Sequence, residues 1–130
     1  MIIFGFSMLD GDNSKLEKII FQNEYAYPDI LKITCEFRII INENIFFLEP
    51  YFPILEFLKD ALAWIDCSDK SKEMSYSSME TENNPLIVFI KKGEGWIIRS
   101  PWQKYECFVN FTRDELENAI LNLVKKLKSL

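Results

Sequence analysis

The sequence predicts an α+β fold, a single antiparallel sheet of about six strands packed against two helices, with residues 1–130 as one domain. Three observations carry that expectation. Leu31 to Ile41 alternates apolar and polar residues, as a half-buried strand does. After Pro53, the residues Ile54, Phe57, Leu58, Ala61, Leu62 and Ile65 fall at three- and four-residue spacing, the mark of one buried helical face. Thr112-Arg113-Asp114-Glu115 is a capping box that opens a second amphipathic helix.

Ile2 to Phe6 is short, β-branched and aromatic, a first strand, and Asp10-Gly11-Asp12-Asn13 turns the chain. Ser14 to Ala26 is open between two readings. Leu16, Ile19 and Ile20 have helical spacing, whereas Ile19, Ile20, Phe21, Tyr25 and Tyr27 suit a strand; Tyr27-Pro28-Asp29 closes the stretch. In the next strand Leu31, Ile33, Cys35, Phe37, Ile39 and Ile41 share one face. A turn at Asn42-Glu43-Asn44 returns through Ile45 to Leu48, and this hairpin feeds a double-proline corner. Pro50 and Pro53 push the residues before them towards extended geometry. The strand is therefore expected to end near Leu48, with Pro53 as the first helical residue. Glu56, Lys59 and Asp60 fall on the polar side, while Leu55 and Trp64 widen the apolar arc, so this helix is expected to be covered on more than one side.

Asp66 to Lys72 is polar and reads as a loop. A strand is expected over Ser75 to Glu82, with Tyr76, Ser78, Glu80 and Glu82 on one face. Asn83-Asn84-Pro85 then turns into Leu86 to Ile90, a fully apolar run that fits a central strand, and a loop from Lys91 to Gly95 returns it through Trp96 to Arg99. Beyond a break at Ser100-Pro101-Trp102-Gln103, alternation of Tyr105, Cys107, Val109 and Phe111 predicts a last strand. The final helix buries Leu116, Ala119, Ile120, Leu123, Val124 and Leu127, and Lys125, Lys126 and Lys128 suit its negative pole.

Composition narrows the chemistry. A 48% apolar content with 15% aromatics is enough for a sizeable core at this length. The chain has no histidine, which excludes a Ser-His-Asp triad, a Cys-His pair and a His-ligated metal. Cys35, Cys67 and Cys107 are widely spaced with no CxxC pair; Cys35 and Cys107 read as small buried hydrophobes in a reducing compartment. With no signal segment and no run of 18 apolar residues, the expected location is the cytoplasm. The net charge is −5, and between Glu43 and Ile90 nine acids face three lysines, so the middle of the chain carries the whole excess. Such a surface repels phosphate backbones and steers a basic protein towards it.

Four candidate constellations stand beside plainer readings. Glu49, Glu80 and Glu82 resemble a cation or acid–base set, but without a metal-ligand or phosphate-loop motif a solvated acidic face is the commoner outcome. Trp96, Trp102 and Tyr105 with Arg99 and Lys104 interleave aromatics and bases, yet two cations in an acidic protein make a poor nucleic-acid funnel. Core or partner contact suits them better, with Trp102, after a proline in a loop, at the surface. Tyr51 and Phe52, between the two prolines, are either an inward plug, the more usual arrangement, or an outward anchor for a partner. Cys67 has only Lys70 near it in sequence as a basic neighbour, too little to activate a thiolate.

The order of INENIFFLEPYFPILEFLKDALAWI, YSSMETENNPLIVFI, WIIRSPWQKYECF and a capped terminal helix resembles small bacterial proteins grouped with immunity proteins of polymorphic toxin and contact-dependent inhibition systems. The resemblance implies a cytoplasmic inhibitor that binds a cognate toxin by protein–protein contact. It brings no catalytic, cofactor or metal residues. On charge and aromatic content, the expected contact residues for a basic toxin, such as a nuclease, are Glu49, Tyr51, Glu80, Glu82 and Trp102. The alternative expectation is a small-ligand module with a pocket near Phe57, Trp64 and Trp96, between helix and sheet.

Overall fold

A computed structural model describes residues 1–8 and 34–129. The expected turn at Asp10-Gly11-Asp12-Asn13, the stretch from Ser14 to Tyr27-Pro28-Asp29 and the first residues of the Leu31 to Ile41 strand lie outside them. The described order is β1 (Ile2–Met8), β2 (Cys35–Ile41), β3 (Asn44–Phe52), α1 (Ile54–Asp66), β4 (Met74–Tyr76), β5 (Ile87–Lys92), β6 (Gly95–Arg99) and α2 (Arg113–Lys128). The fold is α+β, with six antiparallel strands and two helices among the described residues.

The strands divide into two three-stranded sheets, β1-β2-β3 and β4-β5-β6, where the sequence suggested one. The reason lies in α1. Its apolar arc is too wide for a single sheet to cover, and Ile54, Leu55, Phe57, Leu58, Ala61 and Trp64 are all buried. The Phe57 ring touches Phe4, Phe37 and Phe52 of the first sheet and Tyr76 of the second. Trp64 packs edge-on against Phe89 and Trp96 of the second sheet, both at 5.3 Å. Buried side chains from both sheets and both helices join in one cluster. Two surfaces thus share one helix.

Two irregularities in β3 set the corner. Ile39 faces Phe47 but Ile40 faces Ile45, so Phe46 is the extra residue of a bulge, and Phe46 and Phe47 are consecutive yet both fully buried. Phe37 faces Glu49 and Cys35 faces Phe52, leaving Pro50 and Tyr51 opposite Glu36 alone. The strand therefore does not stop near Leu48. It carries Pro50 to Phe52, because β3 is the outer strand of its sheet and a bulge there tolerates the missing amide. Pro53 is the N-cap of α1 and not its first helical residue: its carbonyl accepts from the amides of Glu56 (3.1 Å) and Phe57 (3.3 Å).

Two expected strands shrink. β4 ends at Tyr76, since the chain after it is taken into a loop organised by Asn84. From Tyr105 onward only Phe111 pairs, exchanging amide and carbonyl with Trp96 at 2.7 and 2.8 Å. The last helix follows expectation except that Val124 is half-buried. Both halves of the capping box form, each at 3.1 Å, and Leu116, Ala119, Ile120, Leu123 and Leu127 are buried against β1 and the core.

Candidate functional site

Tyr51, Glu80 and Trp102 are remote in sequence, and three local devices bring them together. The first is the bulge at Pro50 and Tyr51, which adds one residue before Phe52 and so breaks the alternation of faces. Phe52 turns inward, stacked on Phe37 at 4.5 Å, while Tyr51 stands out 72% exposed. The pair is split, where an inward plug was the more usual expectation. Glu49 braces the bulge, its Oε1 accepting the Tyr51 amide at 3.2 Å.

The second device is the loop between β4 and β5. Asn84 gathers it by donating through Nδ2 to the carbonyls of Ser78 (2.8 Å) and Thr81 (2.7 Å) while its Oδ1 accepts from the Ser78 amide (2.9 Å). Ser78 Oγ in turn accepts from the Glu80 amide at 3.1 Å. This arrangement holds Glu80 and a 75% exposed Met79 outward. Glu80 and Glu82 consequently do not share a strand face; both lie in the loop, after β4 has ended.

The third is the turn after β6. Ser100 Oγ accepts from the Trp102 amide, Gln103 Oε1 accepts from the Ser100 amide, and the Lys104 amide donates to the Phe46 carbonyl at 2.7 Å. Trp102 is half-buried, not fully at the surface, because its ring lies parallel to that of Phe47 at 6.4 Å.

These devices enclose a cleft of about 180 Å³. Glu49, Tyr51, Glu80, Thr81 and Trp102 line it, over Phe52, Pro53, Ser78 and Leu86. Four of the five expected contact residues meet here. Glu82 is exposed and does not line the cleft.

Under the loop sits a group that sequence periodicity put on the wrong side. Glu56 is 2% exposed instead of facing solvent. Its Oε1 accepts the Tyr76 hydroxyl at 2.5 Å and its Oε2 the Met79 amide at 3.3 Å, so one carboxylate ties the start of α1 to β4 and to the loop wall of the cleft. Burial pushes the Tyr76 phenol well above its ordinary 10.0, and the hydrogen bond to Glu56 pushes the same way. A glutamate three residues after a proline and ahead of Phe57 and Leu58 gives no sign of burial until its partner, Tyr76, is placed.

The other candidates do different work. Trp96 is core, Tyr105 packs edge-on to Phe46 at 5.7 Å, and Arg99 donates to the Cys107 carbonyl at 2.6 Å, so these side chains are engaged within the fold. Cys35 and Cys107 are buried, and burial pushes the Cys35 thiol up to about 12. Among the described residues, no group of three or more Cys, Asp or Glu side chains gathers to hold a metal ion, and no helix is long and apolar enough to cross a membrane. Near Phe57, Trp64 and Trp96, where a ligand pocket was expected, Phe57 packs edge-on to Tyr76 and Trp64 packs edge-on to Phe89 and Trp96. A wider cleft of about 990 Å³ lies elsewhere, between β1 and α2.

Fold and cleft together define a small α+β domain carrying an acid-rimmed aromatic cleft at a helix-entry corner. The chain belongs to the family described as a domain of unknown function (DUF7878), which it matches over residues 4–130. Neither a curated protein nor a solved structure matches it.

Proposed function

We propose that this protein is an immunity-type inhibitor that binds and neutralises a cognate basic bacterial toxin, such as a nuclease, in the cytoplasm by protein–protein contact. The observation that supports the reading most is the outward Tyr51, turned out by its bulge into a cleft shared with Glu49, Glu80 and Trp102. Tyrosine and tryptophan dominate the energetics of interfaces when the remainder of the patch excludes water around them. Acids beside them, such as Glu49 and Glu80, speed encounter with a basic surface and reject acidic partners. Nothing in this mode requires an enzyme, a cofactor or nucleic acid.

The test is capture and calorimetry with the product of the adjacent gene, at low and moderate salt. A salt-weakened complex is expected, and Tyr51→Ala should loosen it by about thirtyfold or more, as befits an anchor worth about 2 kcal/mol. Glu49→Lys with Glu80→Lys should slow association. A complex indifferent to all three substitutions would remove this site, and no complex would remove the reading.

A second reading, a small-ligand module, is favoured by the cleft between β1 and α2. Its volume of about 990 Å³ is at the upper end of small-molecule sites, and Phe4 and Ala119 line it beside Lys125 and Lys126. Apolar carboxylates should then raise the melting temperature of the wild type and not of Lys125→Glu with Lys126→Glu. An unchanged melting temperature across such a panel would end that reading.

A further inference from the structure

Resting on the docking reading, we propose that the cleft is a receptor for one arginine side chain of the partner. Its size argues first. At about 180 Å³ it is smaller than the roughly 300–1,000 Å³ typical of small-molecule sites, and is on the scale of one long side chain. Its layering argues next. Among the lining residues Phe52, Pro53 and Leu86 are buried and apolar, suited to a methylene stem, and Glu49 and Glu80 line the same cleft as the exposed Tyr51 and the half-buried Trp102. Among the described residues neither Glu49 nor Glu80 is paired with a cation.

A guanidinium answers that set better than an ammonium. It is planar, so it lies on aromatic faces; it carries five donors in a fork that serves two carboxylates; and it sheds water more readily. The protein uses the same combination internally. The Arg113 guanidinium lies 4.0 Å from the centre of the Trp64 ring while its Nε donates to Glu117 at 2.7 Å.

The experiment is an NMR titration of the intact protein with three capped amino acids: N-acetylarginine amide, its lysine counterpart, and its citrulline counterpart, which keeps the shape and lacks the charge. The arginine probe should shift the Trp102 indole and the amides of Tyr51 and Glu80 in a saturable manner. Lysine should bind several-fold more weakly and citrulline should leave those signals in place. Glu49→Gln with Glu80→Gln, which keeps an acceptor for the Tyr51 amide, should weaken the arginine probe by about tenfold. Silence at those signals, or equal response to citrulline or lysine, overturns the arginine receptor. A partner that binds the double variant as tightly as wild type overturns it too, yet leaves the docking reading in place. A failure to capture any partner counts against docking alone, because the probe titration needs none.

Discussion

A carboxylate placed at the first turn of an apolar helix is tolerable only if its oxygens find donors, and Glu56 finds two, the Tyr76 hydroxyl and the Met79 amide. Tyr76→Phe removes the nearer donor without changing shape. It should cost about 1–3 kcal/mol in urea unfolding, and a double-mutant cycle with Glu56→Gln should show coupling between the two; additive losses would mean that the pair does not act together. Alkaline pH tests the same interior. Cys35 is held up from 9.0 to about 12 by burial, chiefly, with Arg38 opposing and Glu36 adding, and Tyr76 is raised from 10.0. The folded protein therefore retains protons that the unfolded chain releases. Their contribution is fully present below the unfolded values and is lost as pH rises through the raised ones, so the urea midpoint should fall steadily above about pH 9. A midpoint that is flat to pH 11 or so would contradict the burial of both groups. Cys35 and Cys107 looked buried in the sequence from their apolar neighbours; Glu56 did not, because its burial depends on a residue in the next element, twenty positions on.

The β2–β3 hairpin turns at Asn42 and Glu43, both with positive φ, 48° and 72°. Two left-handed residues in a two-residue loop fit the twist of the strands, but a glutamate in that conformation is strained. Glu43→Gly should raise stability by up to about 1 kcal/mol, read as a higher urea midpoint with unchanged slope; a lower midpoint would mean the strain is absent. At the other end of the core, α1 finishes with no basic residue in its last turn. Arg113 supplies the charge from α2, donating to the carbonyls of Trp64 (2.9 Å) and Lys70 (2.8 Å) while stacked on the Trp64 ring. Lysine lacks that fork, so Arg113→Lys should cost about 1.5–3 kcal/mol, and the Cys67 amide, which donates to the same Trp64 carbonyl, should exchange faster; wild-type stability would show the staple to be ornamental. The capping box itself was plain in the sequence. Arg113's second task was not, since it spans two helices that only meet in the folded chain.

For the whole molecule, the decisive feature is α1 lying where the two sheets meet. Local pattern identified that helix, its unusual apolar width, the β2 alternation and the capped α2, because each depends on neighbours within a few residues and on which side must leave water. The same pattern named Glu49, Tyr51, Glu80 and Trp102 as contact candidates by residue type and local charge. It did not bring them together. Their convergence depends on a bulge, an asparagine-clasped loop and a turn pinned to Phe46, and such irregular backbone is selected by packing and hydrogen bonds over long separations, with no period to betray it. The division of six strands into two sheets belongs to the same category, since which edges pair is settled by the shape of the shared core. Sequence alone thus determined the α+β class, the main helices and the chemical character of the surface, all governed by short-range burial and charge. Only tertiary structure decided that Tyr51 points out, that Glu56 points in, and that Glu49, Tyr51, Glu80 and Trp102 line one cleft.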